Sequence, residues 1–404
     1  MMLLNRRTFF TILTRGMVLV INLLLVVFTA RVWGSEGRGL IALVMTSVSL
    51  VTILNNIFSG ATVAYHTPQH SPWQLLAVAW GGSLLTSLLG TISIFLFTGA
   101  GRFEWIFLLA YTTSLASAVT YYWLGRNRIG RYNLLTLLPP LLIALFLLAA
   151  YYVMAIRDLP VYFYIWMTAY LLTAGAGVWA MPSKDAHHPV LPLAQLAKKM
   201  VAYGYKSELS YFLQFLNYRV AYYFISAWSG LSELGRFSVA VAVSEAVWII
   251  GRSISSVLYA EVLNHGEAEE KIRLTRRALR QGFLLTVPAL VLLAIIPDTL
   301  YVRVFGEGFS GIHELILYLL PGILFLALAN ILGHYFSATG QMNILIVKSA
   351  LGLATTTLLL LLFLKGSGLV AACLALDTAY LMILLYLAGQ FIREMREKRK
   401  RESL

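Results

Sequence analysis

The chain has 404 residues, of which 59% are apolar and only 12% are charged. Soluble domains carry about 25% charged residues, so a soluble core could not absorb this much apolar sequence. The composition therefore excludes a soluble enzyme and indicates a protein that crosses a membrane several times. A single cysteine, Cys373, excludes an internal disulfide and a cysteine-based zinc site.

Twelve apolar stretches approach or exceed the length of about 20 residues that a helix needs to cross a membrane. In chain order they are 9–30, 39–63, 74–97, 103–124, 132–155, 161–181, 207–228, 235–259, 279–296, 313–337, 343–364 and 367–392. The first is too long for the apolar core of a signal peptide, and no cleavage-site pattern follows it, so we interpret it as a retained helix. The sequence predicts an all-α polytopic membrane protein with twelve transmembrane helices.

The basic residues are distributed unevenly over the connections. The two ends and the connections on their side of the membrane hold 20 of the 31 Lys and Arg residues, whereas the opposite side holds seven. We expect the chain in the cytoplasmic (inner) membrane, with both termini on the cytoplasmic side, as the positive-inside rule predicts. The net charge of +13 therefore reflects the membrane topology and does not indicate nucleic-acid binding. The basic connections are also expected to contact anionic membrane lipids.

The longest connection, 182–206, divides the predicted helices into six plus six. Its second half, 191–206, carries apolar residues at helical spacing beside two lysines and is interpreted as an interfacial helix. We therefore expect an N-terminal bundle at 1–181, a C-terminal bundle at 207–392 and a basic cytoplasmic tail at 393–404.

The two halves show weak internal similarity. A tryptophan (Trp33, Trp228) precedes a Ser-Glu segment that opens the second helix of each half. Because the helix order is preserved over an even number of crossings, this pattern favours parallel repeats that are related by an axis along the membrane normal and enclose a central cleft.

Three parts of the sequence resemble the Wzx-type polysaccharide flippases. They are ARVWGSEGRGLIAL at 30–43, the segments 216–219 and 235–245 of helices seven and eight, and the passage 121–140 from helix four to five. The similarity spans nearly the whole chain. That family belongs to a larger group that also contains lipid II flippases and multidrug and toxin extruders. The resemblance implies two six-helix bundles that form a V-shaped central cleft, and transport by alternating access.

Four cations lie inside predicted spans, where a charge costs roughly 2.5–3.5 kcal/mol on insertion scales. They are Arg15, Arg219, Arg252 and Lys348, against only two acids at similar depth, Glu245 and Asp377. This surplus of two positive charges matches a pyrophosphate, to which arginine offers bidentate donors. Arg15, Arg219 and Arg252 are therefore candidate substrate-binding residues. Both Arg15 and Lys348 also fit a different reading, in which the side chain reaches out to the membrane interface.

Arg219 and Glu245 are expected to meet near the middle of the membrane. Arg219 lies nine residues before Trp228, and Glu245 lies ten residues after Gly235, so each is roughly 15 Å below the outer face. Such a pair is either a structural link between two helices or a switch in a substrate or proton site. We name Glu245 and Asp377 as candidate ion-coupling residues for proton or sodium, and expect no cofactor.

Uncharged polar residues complete the candidate substrate site. Tyr218 lies too deep for an ordinary interface tyrosine, and aromatic faces with hydroxyl groups suit sugars. Asn22 follows Arg15 by seven residues and shares its helix face. Asn55 is polar at depth and fits either substrate contact or a hydrogen bond between helices.

The sequence thus predicts a transporter: a flippase for polyprenyl-pyrophosphate-linked oligosaccharides, with a polysaccharide polymerase as a further expected partner. One alternative is a cation-coupled multidrug extruder of the same superfamily, which should expose net acidic charge. The other is a non-transport membrane enzyme of polysaccharide assembly, which should have a large outer loop. The predicted outer loops are short, and there is no phosphate-binding loop for ATP hydrolysis.

The predicted orientation can be tested by cysteine labelling. In a Cys373→Ala background, single cysteines placed in 182–206 should react with a membrane-impermeant reagent only when it reaches the cytoplasmic face. Labelling of these positions from outside intact cells would overturn the orientation.

Overall fold

A computed structural model describes residues 6–98, 102–181, 191–264 and 267–402. Within these ranges the secondary structure is helical and contains no strand. The helices are α1 Arg6–Asn55, α2 Gly60–His66, α3 Pro72–Thr98, α4 Phe103–Gly125, α5 Ile129–Leu148, α6 Pro160–Trp179, α7 Leu193–Trp228, α8 Leu231–Ala246, α9 Trp248–Asn264, α10 Ala268–Ala294, α11 Asp298–Phe305, α12 Ile312–Ala338 and α13 Met342–Glu402. A π-helical turn, Ala149–Val153, extends α5.

Two of these helices each contain two crossings. The α1 helix is kinked at Gly34 (φ 62°, ψ −168°), and α13 is kinked at Gly368 (φ 56°, ψ −142°). A positive φ is readily adopted only by glycine, so each glycine lets the chain turn back between two spans. With α1 and α2 taken together, the apolar regions are 54 and 56 residues long, more than twice the length of one crossing.

The prediction of an all-α protein with twelve transmembrane helices is confirmed. By length and composition, eight helical regions of the described chain could cross a membrane, or nine if the bent pair α8 and α9 is one span. Two of these regions supply two crossings each, and α7 completes the set. The α7 helix is less apolar overall because its first turns carry lysines and its later turns carry Glu208 and Arg219.

The connection before α7 is shorter than expected. The segment predicted as an interfacial helix, 191–206, is not a separate element, because α7 begins at Leu193 and continues without a break to Trp228. The stretch 182–190 lies outside the described residues. At the other end of the chain, the basic tail continues α13 as far as Glu402.

The chain divides into two compact units. Unit 1 comprises Met1–Trp33 and Leu40–Phe212, and unit 2 comprises Gly34–Gly39 and Leu213–Leu404. The division near residue 212 falls within α7, so the first part of this helix packs with unit 1. Buried aliphatic and aromatic side chains, such as Ile41, Leu109 and Phe163, form the core of unit 1.

The short segment Gly34–Gly39 belongs to unit 2 because it packs closely against the start of α8. A Cβ atom on Gly39 would overlap the carbonyl oxygen of Leu231, and one on Gly235 would overlap the carbonyl oxygen of Ser35. The hydroxyl groups of Ser35 and Ser232 lie 2.7 Å apart beside this contact. The similar Ser-Glu segments noted in the sequence therefore pack reciprocally against each other, and each contributes one essential glycine.

Substitution of Gly235 tests this contact. Gly235→Ala should destabilise the protein by about 1–3 kcal/mol, the usual cost of overpacking, because the new methyl group meets rigid backbone. The matched control is Gly81→Ala on α3, where an added Cβ meets nothing within 4 Å and should be neutral or slightly stabilising. Thermal unfolding in detergent measures both effects. Equal melting temperatures for the two variants would contradict the close packing at Gly235.

Candidate functional site

The candidate site lies in unit 2, where the second span of the C-terminal half is broken. The α8 and α9 helices meet at Val247 and are bent by 44°. Glu245 lies in the last turn before the bend. Its two carboxylate oxygens each accept a hydrogen bond of 2.8 Å from Arg219 on α7, one from Nη1 and one from Nη2. This bidentate geometry is the strongest form of an Arg–carboxylate pair. The pair neutralises both charges beside the bend.

Aromatic side chains surround the ion pair. The guanidinium group of Arg219 lies over the Tyr222 ring, at 5.2 Å from its centroid. The Tyr218 ring packs edge-on against Trp248 at 5.2 Å and against Tyr380 on α13 at 5.9 Å. Rings from α7, α9 and α13 thus form an aromatic wall beside the charged pair, in which Tyr218 is half-buried and Trp248 and Tyr380 are buried.

Arg252 extends this wall. Its guanidinium group stacks on the Trp248 ring at 4.4 Å from the centroid, and the side chain is exposed in the isolated chain. No Asp or Glu of the described residues lies within 4.0 Å of it. Stacking fixes the plane of the guanidinium group and leaves its N–H donors available. Arg252 is therefore an oriented cation without an acidic partner among these residues.

Lys348 on α13 is a second cation of unit 2. Its side chain is buried, with a residue exposure of 8%, so the reading in which it reaches out to the interface does not match its position. Electrostatic interactions connect Lys348 and Arg252 with His334 on α12, whose Nδ1 lies 2.9 Å from the carbonyl oxygen of Asn330. Three basic side chains from α9, α12 and α13 thus share one region.

Asp377 lies three residues before Tyr380 on α13, about one helical turn earlier. It is buried, with an exposure of 8%, and its Oδ1 has no hydrogen-bond partner in the described part of the chain. A Cβ atom on Gly322 would overlap this oxygen. Pro321 precedes Gly322 in α12, so the carboxyl group packs directly on the helix backbone beside a proline. Both predicted ion-coupling acids, Glu245 and Asp377, therefore lie close to the aromatic wall.

Asn55 lies in unit 1 and has a different environment. Its Nδ2 donates to Ser87 Oγ at 2.8 Å and to Ser114 Oγ at 2.7 Å. Its Oδ1 accepts a hydrogen bond of 2.6 Å from Thr86 Oγ1. The residue is fully buried, and these bonds occupy both ends of its amide. Of the two readings left open by the sequence, this geometry fits the hydrogen bond between helices.

Arg15 and Asn22 also lie in unit 1, on the first part of α1. Both are exposed in the isolated chain and are seven residues apart on one helix face. The structure thus brings five of the predicted residues together in unit 2: Arg219, Arg252, Tyr218, Glu245 and Asp377.

Some parts of this arrangement could not be predicted from the sequence. Trp248 and Tyr380 were missed because apolar and aromatic residues in a membrane helix are usually packing residues. The bend at Val247 has neither proline nor glycine at its centre. The one available signal was Trp248 at three residues from Glu245 and four from Arg252, which places all three on neighbouring parts of one helix surface.

Comparison with known proteins gives one family match. A family model described as "Polysaccharide biosynthesis protein" matches residues 140–314, which is less than half of the chain. No curated protein sequence matches the chain.

Several solved transporter structures share the fold. A lipid II flippase, MurJ, in an inward closed conformation is 14% identical with a TM-score of 0.71; the match covers 94% of this chain and 87% of that one. A multidrug resistance MATE family transporter of the MOP superfamily, inward-facing, is 13% identical with a TM-score of 0.73, and the coverage is 94% and 95%. A MOP superfamily transporter from Pyrococcus furiosus, described as having a binding pocket of reverse polarity, is 12% identical with a TM-score of 0.60 and 96% coverage of both chains. The predicted fold and resemblance are confirmed: the chain is a multi-pass membrane protein with the fold of these flippases and transporters.

The ion pair at the helix bend generates a stability prediction. Arg219→Ala should lower the free energy of unfolding by about 2–3 kcal/mol, somewhat less than for a fully buried pair, because the two side chains keep 21% and 19% of their surface exposed. Adding Glu245→Gln to Arg219→Ala should restore part of that loss, because it removes the stranded carboxylate. Thermal unfolding of both single variants and the double variant measures this coupling.

The matched control is the exposed pair Arg393–Glu397, whose side chains are 74% and 56% exposed. Arg393→Ala should change stability by less than about 0.5 kcal/mol, as is usual for a surface pair. Strictly additive effects of the Arg219 and Glu245 substitutions would show that the two residues do not form an energetically coupled pair.

Proposed function

We propose that this chain is a flippase that moves a polyprenyl-pyrophosphate-linked oligosaccharide from the cytoplasmic to the outer leaflet of the inner membrane by alternating access. The observation that carries the proposal is the uncompensated positive charge of unit 2. Glu245 neutralises Arg219, whereas Arg252 and Lys348 have no described acid within 4.0 Å. Asp377 alone does not balance these two cations.

A pyrophosphate is a suitable counter-ion for this charge. Arg252 is already oriented by Trp248, so its planar donors can bind phosphate oxygens with little further loss of side-chain freedom. Lys348 is buried without an anion, which costs several kcal/mol in a low-dielectric environment. A bound phosphate would offset part of that cost. Binding energy is therefore available for a doubly charged headgroup and not for a neutral lipid.

The aromatic wall suits the sugar part of the substrate. Tyr218 is half-buried and lies beside the cations, packed against the buried rings of Trp248 and Tyr380. Sugars pack their C–H faces on aromatic rings and exchange hydrogen bonds with hydroxyl and amide groups. Gln214 donates a hydrogen bond of 2.6 Å to the Tyr218 hydroxyl oxygen, which fixes the direction of that hydroxyl group.

The Arg219–Glu245 pair is proposed to act as a switch at the bend of α8 and α9. When an anionic headgroup competes for Arg219, the Glu245 carboxylate loses its partner and binds a proton or sodium ion in exchange. Asp377, with its unpartnered oxygen, is the second proposed ion-coupling residue. In this scheme a headgroup on Arg219 and an ion on Glu245 each separate the pair, so the binding of one favours the binding of the other.

Residues of unit 1 complete the proposal. Arg15 and Asn22 are retained as candidate substrate contacts on α1. A polysaccharide polymerase is the proposed partner that receives the translocated substrate, and anionic lipids are proposed to contact the basic connections.

The rival function is a cation-coupled multidrug extruder. Two observations favour it: the likeness to a multidrug resistance transporter, and the two acids, Glu245 and Asp377, beside an aromatic wall. An organic cation could stack on that wall. This rival predicts that removal of Asp377 abolishes export of cationic dyes, whereas the flippase proposal predicts no dye export at all.

The test is flipping of a fluorescent polyprenyl-pyrophosphate oligosaccharide in proteoliposomes with a leaflet-resolved assay. Arg252→Gln and Lys348→Gln should each reduce the initial rate by about tenfold or more, because a charge-assisted contact to phosphate is worth at least about 1.4 kcal/mol. Arg252→Lys keeps the charge but loses the planar fork, so its rate should fall in between.

The matched control is Arg273→Gln, which removes an exposed arginine of α10 and should leave the rate unchanged. A phosphate-free analogue should be bound equally by wild type and both Gln variants. If Arg252→Gln and Lys348→Gln together move the pyrophosphate substrate as fast as wild type, these cations do not bind the headgroup.

A further inference from the structure

Unit 1 also contains a broken span, between α1 and α2, and one side chain organises the break. Ser59 Oγ donates to Asn56 Oδ1 at 3.2 Å, and Thr62 Oγ1 donates to the Asn56 carbonyl oxygen at 2.9 Å. A Cβ atom on Gly60 (φ 54°) would be 2.7 Å from Asn56 Oδ1. Since Oδ1 accepts the bond from Ser59, the N–H₂ group of Asn56 is left to donate to another group.

The first part of α7 packs directly on this break. A Cβ atom on Gly204 would overlap the Ile57 backbone and lie 2.8 Å from Thr62 Oγ1. One turn further along α7 comes Glu208, whose exposure is only 6%. The amide of Asn56 interacts with its carboxyl group. Glu208 therefore stands where α7 touches the interrupted helix.

Glu208 has no charge partner among the described side chains. No Lys, Arg or His of these lies within 4.0 Å of its carboxyl group. This distinguishes it from Glu245 in unit 2, which is paired with Arg219. An ionised carboxylate buried without a cation is strongly unfavourable, and such a group takes up a proton or a cation.

The surroundings favour a proton over a metal ion. The titratable groups near Glu208 are tyrosines: Tyr121 on α4 interacts with Tyr132 on α5, with Tyr211 on α7 and with Glu208 itself. At the break, the neutral amide of Asn56 directs N–H groups toward the carboxyl group, which opposes a cation at that position. Among the described side chains no second carboxylate joins the cluster, and no group of three His, Cys, Asp or Glu could hold a metal ion. A protonated carboxyl group, by contrast, needs only one acceptor and one donor.

We propose that Glu208 is a proton-binding site of unit 1, and that its protonation sets how tightly α7 packs on the break between α1 and α2. Loss of the proton places a desolvated charge against Asn56 and loosens this contact. The inference goes beyond the proposed transport activity, because proton binding at Glu208 needs no substrate and uses none of the unit 2 residues.

Infrared difference spectroscopy of the purified protein in lipid nanodiscs tests the proposal without substrate. Spectra are recorded between acidic and alkaline pH, and the carbonyl-stretch band of protonated carboxyl groups is followed. At neutral pH the wild type should show a protonated carboxyl band that Glu208→Gln removes, because glutamine keeps the shape of the neutral acid but cannot titrate. Asn56→Leu should retain the band and shift it, because it removes the facing amide.

Glu104→Gln is the control, since Glu104 is an exposed acid at the start of α4 and should leave the neutral-pH band unchanged. Identical neutral-pH bands in wild type and Glu208→Gln would overturn the proposal. Loss of the protonated carboxyl band when sodium is added at constant pH would also overturn the proposal, because it would show that Glu208 binds a cation. If Glu208→Gln does not fold, the Asn56→Leu variant provides the test. An unchanged protonated carboxyl band in Asn56→Leu would then contradict the proposal.

Discussion

The bidentate pair between Arg219 and Glu245 is the interaction on which the arrangement of unit 2 depends. It joins α7 to the last turn of α8, next to the point where α8 and α9 bend by 44°. A lone charge in this position would be expensive, whereas the pair satisfies both groups and lets the chain carry two ionised residues through an apolar span. The bend also turns Trp248 toward Tyr218 and presents Arg252 on the same wall. An anionic ligand can compete with Glu245 for Arg219 while the surrounding side chains stay packed. This combination is what a switch requires.

The two units use their broken helices differently. In unit 2 the acid beside the break is paired with a cation, and two further cations nearby have no acidic partner among the described residues. In unit 1 the break is closed by Asn56 and its hydroxyl neighbours, and the acid beside it, Glu208, faces only neutral groups in the part of the chain that the structure describes. The fixed positive charge of unit 2 is suited to an anionic headgroup. The carboxyl group of Glu208 in unit 1, which we propose exchanges a proton, is suited to ion coupling. Both follow from one electrostatic constraint, the cost of an unpaired charge away from water.

Much of the fold could be predicted from the sequence, because the length and composition of membrane helices are dictated by the bilayer. The twelve stretches and the depth of Arg219 and Glu245 follow from rise per residue and apolar length alone. The division of α7 between the two units and the burial of Lys348 depend on packing between helices, which hydropathy does not report. From the sequence, Asn55 fits either a substrate contact or a hydrogen bond between helices, because the same amide group serves both. Its hydrogen bonds to Ser87, Ser114 and Thr86 decide between them, and these neighbours are set by packing.

The central claim is that the positive charge of unit 2 selects a pyrophosphate headgroup. The most direct measurement is equilibrium binding followed by tryptophan fluorescence, with Trp248→Phe as the control that identifies the responding ring. The account predicts saturable binding of a polyprenyl-pyrophosphate sugar, weaker binding of the monophosphate and much weaker binding of the uncharged polyprenyl sugar, with the differences lost in the Arg252→Gln, Lys348→Gln double variant. Equal affinity for the charged and uncharged lipids in the wild-type protein would contradict it.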